Sequence, residues 1–298
     1  MSAVTAPSSE AAVAPRASRS SRLVSTLTRA PATVVLAIVA ILWLVPTIGL
    51  LVSSFRTAAD NADSGWWTAL TAPAQLSLQP YRDLLSDPSM VSAFVNTVLI
   101  TVPSAVLVVA AASLAAYAFA WMRFPGRDVL FLIVVGLLVV PLQVALIPVA
   151  RLYDVLGLFG TIPAVVLFHV AFGLPFAIFL LRNFFVGLPH ELLEAARMDG
   201  AGEWRVFTRV VLPLGLPAIA SLLIFQFLWV WNDLLVALVF AGGDTQPMTV
   251  AIREQLRSFS ANIDVIAPAA FLQMAVPLLV FFAFQRYFVQ GLLSGSQR

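Results

Sequence analysis

The chain has 298 residues, of which 60% are hydrophobic and 11% charged, whereas soluble domains have roughly 45–50% apolar and 25% charged residues. This excess of apolar residues indicates that much of the surface faces lipid. The sequence has no cysteine and no lysine, since its 17 basic residues are all arginine. Disulfides, thiolate nucleophiles, a P-loop lysine and a Schiff-base lysine are thereby excluded from this chain. The arginines lie dispersed between apolar runs, a pattern that argues against nucleic-acid binding.

The first 30 residues are rich in Ser, Ala, Pro and Thr and poor in large apolar side chains, which predicts a disordered tail. The uncharged run from Ala30 to Phe55 is longer than the roughly 7–15 residues of a signal-peptide core, so it predicts a retained membrane span. Further uncharged runs of membrane-spanning length cover residues 88–122, 129–150, 155–181, 210–232 and 265–285. We therefore predict an all-α membrane protein with six transmembrane helices in a domain over residues 31–290, followed by a tail over residues 291–298.

The arginines predict the orientation of these helices, because cytoplasmic segments carry an excess of Arg and Lys. Twelve arginines lie in the two termini and in the segments after the predicted second and fourth helices, and five lie on the opposite side. We therefore expect both termini in the cytoplasm. Trp66, Trp67 and Tyr81 fall in the first outer loop, where they fit either the membrane–water interface or a surface that docks another protein.

The segment over residues 187–213 joins the predicted fourth and fifth helices and reads as two short helices. Pro189 suits a first helical position, and Gly200 suits the left-handed residue that ends a helix. A second helix is predicted from about Gly202 to Val211. The small alanines beside Leu192 and Leu193 form a shallow face that another protein can approach closely. On helix pattern alone, a surface loop whose leucines rest on the membrane fits equally well.

The spacing of this segment distinguishes the two readings. Glu194-Ala195-Ala196 is followed by Gly200, Val210 and Leu212-Pro213, which resembles the EAA signature of permeases in binding-protein-dependent ABC importers. The chain is most similar to the six-helix sugar permease of the maltose-transporter type. Other stretches that resemble that family are RFPGR at 123–127, WND at 231–233 and QRYFVQGLLSG at 285–295. Val210 departs from the usual isoleucine.

The resemblance implies the ABC type I importer permease fold in a bacterial cell membrane. It also implies four kinds of partner: a second homologous permease, two ATP-binding subunits, an extracytoplasmic sugar-binding protein and the lipid bilayer. ATP and Mg would be bound by the partner ATPases, with no cofactor, metal or catalytic residue in this chain. The outer loop over residues 241–264 would reach into the binding protein. The residues that the resemblance assigns to ATPase coupling are Glu194, Ala195, Ala196, Met198, Asp199, Gly200, Phe207, Leu212 and Pro213.

Polar residues within the predicted spans are candidates for a translocation path, because such residues are rare and often functional. They are Asn96, Gln143, Gln226, Asn232 and Asp233. The amides could instead join helices by hydrogen bonds, and Asp233 could serve either translocation or a structural ion pair. For His169 we favour an inward hydrogen bond over ligand binding. His190-Glu191 begins like a zinc-protease helix but lacks the second histidine.

We therefore predict a permease subunit of an ATP-driven importer for sugars, oligosaccharides or α-glucosides such as maltose or trehalose. The alternatives are an ABC importer for another solute, such as glycerol phosphate, and an ion-coupled secondary transporter. The secondary transporter is disfavoured because the predicted spans contain a single acid and no detectable inverted repeat. A membrane enzyme is disfavoured because the sequence has no plausible catalytic grouping.

Overall fold

The computed structural model describes residues 19–257 and 262–295, and the side chains of residues 33–256 and 262–285. Within these ranges the regular structure is helical, apart from one isolated parallel bridge between Gly160 and Ala241. The helices, numbered in chain order, are α1 (Arg19–Ser53), α2 (Ala58–Asp63), α3 (Gln79–Ser86), α4 (Pro88–Trp121), α5 (Arg127–Leu137), α6 (Leu142–Val155), α7 (Ile162–Val186), α8 (His190–Met198), α9 (Glu203–Val206), α10 (Leu212–Trp231), α11 (Leu235–Phe240), α12 (Met248–Arg257) and α13 (Ile263–Gly295).

Five helices in the described part of the chain are long and apolar enough to cross a bilayer. They are Thr33–Ser53, Pro88–Trp121, Ile162–Val186, Glu203–Trp231 and Ile263–Gln285. A sixth span results if α5 and α6, which are bent by 101° at a short break, are counted together. The predicted all-α membrane fold is therefore confirmed, and its third span is broken.

The break and the following loop were not anticipated by the uncharged runs 129–150 and 155–181. Pro141 has extended backbone (ψ 131°) immediately before α6, so α5 ends ahead of it. After α6 the chain turns at Gly157 and Gly160, whose φ values of 66° and 79° favour glycine. Since these turn residues are flanked by apolar side chains, hydropathy alone does not separate them from the helices.

Both terminal helices extend beyond the predicted spans. α1 begins at Arg19, within the residues predicted as a disordered tail, and α13 continues to Gly295, within the predicted C-terminal tail. Residues 19–30 contain no glycine or proline, so nothing in that stretch interrupts a helix. Residues 1–18 lie outside the described part, and the domain boundaries stay predictions.

The chain divides into two compact units, residues 1–50 and residues 51–298. The first contains most of α1, in which an 18-residue stretch within Thr33–Ser53 has a mean hydropathy of 2.7. In the second unit α4, α7 and α10 pack together around a core of small and branched side chains. Its fully or nearly fully buried members include Val108, Ala112, Ala177, Leu181 and Leu222. Small residues in such interfaces allow helix backbones to approach closely.

At one end of this unit the loop after α6 meets the end of α11. Gly160 N donates to Phe240 O at 3.1 Å, and Gly242 N donates to Gly160 O at 3.3 Å. A Cβ atom at Gly242 would lie 2.9 Å from Gly160 O, closer than side chains tolerate. Both glycines are therefore required for this backbone contact, which fixes α11 against the loop.

Candidate functional site: the segment between α7 and α10

The segment over residues 187–213 begins with α8. Pro189 is the residue before the helix (φ −59°, ψ 121°), and His190 is the first helical residue, one position later than the sequence suggested. Glu191 lies in the first turn and Arg197 in the last, where their charges complement the helix dipole. His190 Nδ1 lies 3.1 Å from Glu194 Oε1 on the exposed side of the helix.

Gly200 ends α8 with a φ of 79°, which confirms the predicted left-handed residue. Ala201 N donates to Ala196 O at 3.0 Å, and Gly200 N donates to Arg197 O at 3.0 Å, so the last carbonyls of the helix are satisfied by the turn itself. The chain re-enters a helix at Glu203. The predicted second helix does not stop at Val211 but continues through a π-helical turn into α10. The segment is therefore continuous with a membrane span.

One face of the segment is buried within this chain. Leu193, Val206 and Val211 have no exposed surface, and Phe207 is 4% exposed. These side chains belong to the same core as α4 and α7, and the Phe207 ring centroid lies 5.3 Å from that of Tyr117. The predicted coupling residue Phe207 thus anchors the segment to α4 and is not accessible to another protein here.

The opposite face is exposed and partly apolar. Met198 is 82% exposed, Trp204 68% and Leu192 47%. The exposed predicted coupling residues are Glu194, Ala195, Met198, Asp199, Gly200 and Pro213, whereas Ala196 and Leu212 are half-buried. Exposed apolar side chains grouped with charged ones are typical of a protein or membrane contact surface. A Cβ built on Gly200 would have no atom of another described part of this chain within 4 Å.

A polar cluster that the sequence does not reveal lies behind this face. Arg197 Nε and Nη2 donate to the two carboxylate oxygens of Glu203 at 3.1 and 3.2 Å, and Tyr117 OH donates to Glu203 Oε2. Arg197 Nη2 also donates to Trp121 O at 3.5 Å. The hydrogen bond to Glu203 raises the pKa of the Arg197 guanidinium. Because Tyr117 lies 86 residues from Glu203, no local spacing could have revealed the cluster.

The residues predicted for a translocation path are not brought together. Asn96 is buried, and its Nδ2 donates to Asp244 O at 2.8 Å and Gln246 O at 3.1 Å. Gln226 is 1% exposed and packs against Gly173, between α7 and α10. Gln143 is exposed on α6. Asn96 and Gln226 therefore lie at contacts within this chain.

Asn232 and Asp233 follow α10 directly. Asp233 accepts the backbone N–H groups of Val236 and Ala237 at 3.3 and 3.1 Å, which caps the first turn of α11. Its Oδ2 also lies 3.5 Å from Nε2 of His169, which is 1% exposed and comes from α7. Asp233 therefore lies beside His169, but neither ring nitrogen of His169 makes a hydrogen bond within the described part of the chain. The inward hydrogen bond predicted for His169 is wrong.

Asn232 borders an open groove between α10, α12 and α13, with a volume of about 660 Å³. Its other polar lining residues are Thr249, Arg253 and Gln273, and the rest of its wall is apolar. Of the five predicted path residues, Asn232 alone lines this groove.

The sequence matches the family of binding-protein-dependent transport system inner membrane components over residues 11–294. The chain belongs to this family. Among relatives of this inner membrane component, the osmoprotective compounds uptake permease protein GgtD of Synechocystis sp. is 50% identical over 263 residues, covering 87% of this chain and 88% of GgtD. The alpha-glucoside transport system permease protein AglG of Rhizobium meliloti is 47% identical over 253 residues, covering 83% of this chain and 66% of AglG.

The fold agrees with that assignment. A chain in the crystal structure of a bacterial ABC transporter involved in the import of the acidic polysaccharide alginate superposes with a TM-score of 0.76 at 22% identity. The match covers 92% of this chain and all of that chain. This inner membrane component therefore has the type I ABC importer permease fold and is a multi-pass membrane protein.

Proposed function

We propose that this chain is the permease subunit of an ATP-driven sugar importer and that the segment over residues 187–213 transmits the work of ATP hydrolysis from a partner ATPase. The observation that carries the proposal is the division of this segment into an exposed face around Gly200 and a buried face continuous with the membrane core. The first offers a contact to another protein, and the second ties that contact to α4, α7 and α10.

The partners follow from this role. The arginine distribution supports a cytoplasmic position for the segment and for both termini. ATP and Mg are held by two ATP-binding subunits, so this chain itself is not catalytic. A second permease completes the pathway, and an external sugar-binding protein delivers the solute. The loop over residues 241–264, on the opposite side of the membrane, contacts that binding protein.

ATP-driven approach of the two ATPases carries the docked α8 inward, and the attached spans move with it to open the pathway outward. Converting a conformational equilibrium from 1:99 to 99:1 takes about 5.5 kcal/mol. Leu193, Val206, Phe207 and Val211 are each buried, and burial of such side chains contributes about 1.5–3 kcal/mol apiece. The burial free energy of these four anchors together is therefore at least as large as the free energy that the conformational change requires.

The proposed substrate is a neutral oligosaccharide or α-glucoside. The names of AglG and GgtD support an α-glucoside or an osmoprotective solute. The groove beside α13 is the proposed solute contact, because a few hydrogen-bonding groups on a largely apolar wall are typical of small-molecule sites. We propose that Asn232 contacts the solute there, while Asn96 holds the loop after α11 and Gln226 packs between α7 and α10.

Docking is tested by crosslinking, which the absence of native cysteine makes specific. Ala195→Cys places a thiol on the exposed face of α8, and Ala74→Cys places one in an exposed turn before α3. We expect the first variant to capture an ATP-binding subunit and the second to capture none. Glu194→Lys and Gly200→Asp should leave the protein in the membrane but abolish stimulation of ATPase activity. Unchanged transport in both of these variants would contradict the proposal.

The substrate is tested with the assembled transporter in proteoliposomes. We expect ATP-dependent uptake of a labelled α-glucoside such as maltose or trehalose, with competition by unlabelled glycosides and none by glycerol phosphate. Competition by glycerol phosphate alone would assign the importer to a different solute. Uptake that follows a proton gradient without ATP would instead indicate a secondary transporter.

A further inference from the structure

The two short helices of the 187–213 segment are joined to α4 by one carboxylate. Glu203, on α9, accepts two hydrogen bonds from Arg197 on α8 and one from Tyr117 on α4. A guanidinium that donates through two nitrogens to a carboxylate has a defined orientation. Glu203 therefore fixes the position of α8 relative to α4 as well as their separation.

The cluster lies between the exposed face and the membrane core. The side chains of Arg197 and Glu203 are 32% and 44% exposed, whereas Tyr117 is 4% exposed and packs on Phe207. This contact links α8 and α9 to the C-terminal end of α4, in addition to the apolar anchors of the segment. Trp121 O, at the last helical residue of α4, accepts a further bond from Arg197.

We propose that Arg197, Glu203 and Tyr117 are positioning residues that make α8 and the adjoining end of α4 move as one body when the partner ATPases close. This inference rests on the proposed function of the segment as the ATPase contact. It assigns a role to three residues that do not need to touch the ATPase.

If the cluster only stabilised the fold, its removal would reduce folding or assembly. Partly exposed ion pairs contribute little to folding stability, and the apolar anchors of the segment remain when the cluster is removed. Variants of Glu203 should therefore fold, assemble and dock, yet lose the fixed geometry. In these variants the solute transported per ATP hydrolysed should fall and the distance between α8 and α4 should become variable, while assembly stays unchanged.

The test compares Glu203→Gln, Tyr117→Phe and the exchanged pair Arg197→Glu with Glu203→Arg in the assembled transporter. Glu203→Gln should lower the solute transported per ATP hydrolysed by about tenfold, in the range typical of coupling between sites. Tyr117→Phe should have a smaller effect, since Arg197 keeps its hydrogen bonds to Glu203 and to Trp121 O at the end of α4. Arg197→Glu alone should lower the solute transported per ATP hydrolysed. The exchanged pair should restore most of that decrease, because opposite charges again face each other.

A distance measurement isolates the geometry. Spin labels on Ala195→Cys and Met122→Cys report the separation of α8 from the end of α4. We expect one narrow distance with and without ATP in the parent chain and a broad or ATP-dependent one in Glu203→Gln.

Docking is followed in every variant by crosslinking through Ala195→Cys. An unchanged transport ratio in Glu203→Gln, an exchanged pair no better than Arg197→Glu alone, or loss of docking together with coupling would overturn the inference. If the parent chain itself neither crosslinks to an ATPase nor stimulates it, the proposed function fails instead.

Discussion

Replacing Phe207 by Ala tests whether the segment between α7 and α10 carries force into the membrane core. The side chain is 4% exposed and its ring contacts Tyr117. Truncating a buried Phe costs about 3–5 kcal/mol because a cavity remains. The four apolar anchors contribute about 6–12 kcal/mol together when each is taken at its usual burial value. Without Phe207 the three remaining anchors contribute about 4.5–9 kcal/mol at the same burial value, a range whose lower end falls below the about 5.5 kcal/mol that a full conformational switch requires.

We therefore expect Phe207→Ala to reduce the amount of solute transported per ATP hydrolysed in proteoliposomes by about tenfold, in the range typical of coupling between sites. Phe207→Leu, which keeps most of the volume, should have an intermediate effect. Phe225→Ala is the matched control, since Phe225 lies on α10 but is 51% exposed, and its ratio should not change. Gel filtration and thermal unfolding establish that each variant is folded. A folded Phe207→Ala transporter with the parent ratio would refute the argument that these anchors carry the load.

Three further substitutions follow from local geometry. Asp233→Ala removes the side-chain acceptor of two N–H groups at the start of α11 and should lower the free energy of unfolding by about 1 kcal/mol. Asp233→Asn should lower the free energy of unfolding by less. Equal decreases in the two variants would contradict the capping role. Gly242→Ala forces a Cβ to within 2.9 Å of a carbonyl oxygen and should lower the unfolding temperature. Gly243→Ala should leave the unfolding temperature unchanged, because the space around Gly243 is open. Equal effects of the two substitutions would show that the close approach is unimportant. Gly200→Ala should cost about 1–2 kcal/mol at a positive φ, and Gly200→Asn less. Because the space beside Gly200 is free for a partner, both should still impair ATPase stimulation, and full stimulation in the Asn variant would limit the role of Gly200 to its backbone conformation.

The sequence was informative where one residue type has one conformational consequence. Gly200 at the end of α8 was predicted from composition and spacing, because glycine is favoured at a positive φ. The five long spans were visible because roughly 20 apolar residues have few uses other than crossing a bilayer. The 101° bend between α5 and α6 was not visible, since the residues around Pro141 are as apolar as the helices they separate.

Tertiary contacts decide which residues of the 187–213 segment are buried and which are exposed. Leu192 and Leu193 are adjacent and chemically identical, yet the first is 47% exposed and the second fully buried. The resemblance assigns Phe207 to ATPase coupling, but its position in the motif does not show whether its side chain faces a partner or the core of this chain. Tyr117 could not be connected to Glu203 at all, since the two are 86 positions apart in the sequence and lie on different helices.

Polar contacts hold α4 near its C-terminal end and in its N-terminal third, which under the proposed function gives a movement of α8 a route across the membrane. Near the C-terminal end Tyr117 contacts Glu203, and in the N-terminal third Asn96 donates to two carbonyls of the loop after α11 while Thr97 Oγ1 accepts from Met248 N at 2.8 Å. Asn96 and Tyr117 are 21 residues apart on α4 (117 − 96), which is about 31 Å at 1.5 Å per residue, and the hydrocarbon core of a bilayer is about 30 Å thick. Since the bonds in the N-terminal third engage backbone groups, a displacement of α4 changes the position of that loop directly. The loop proposed to face the binding protein is thereby linked to the ATPase contact through a single helix.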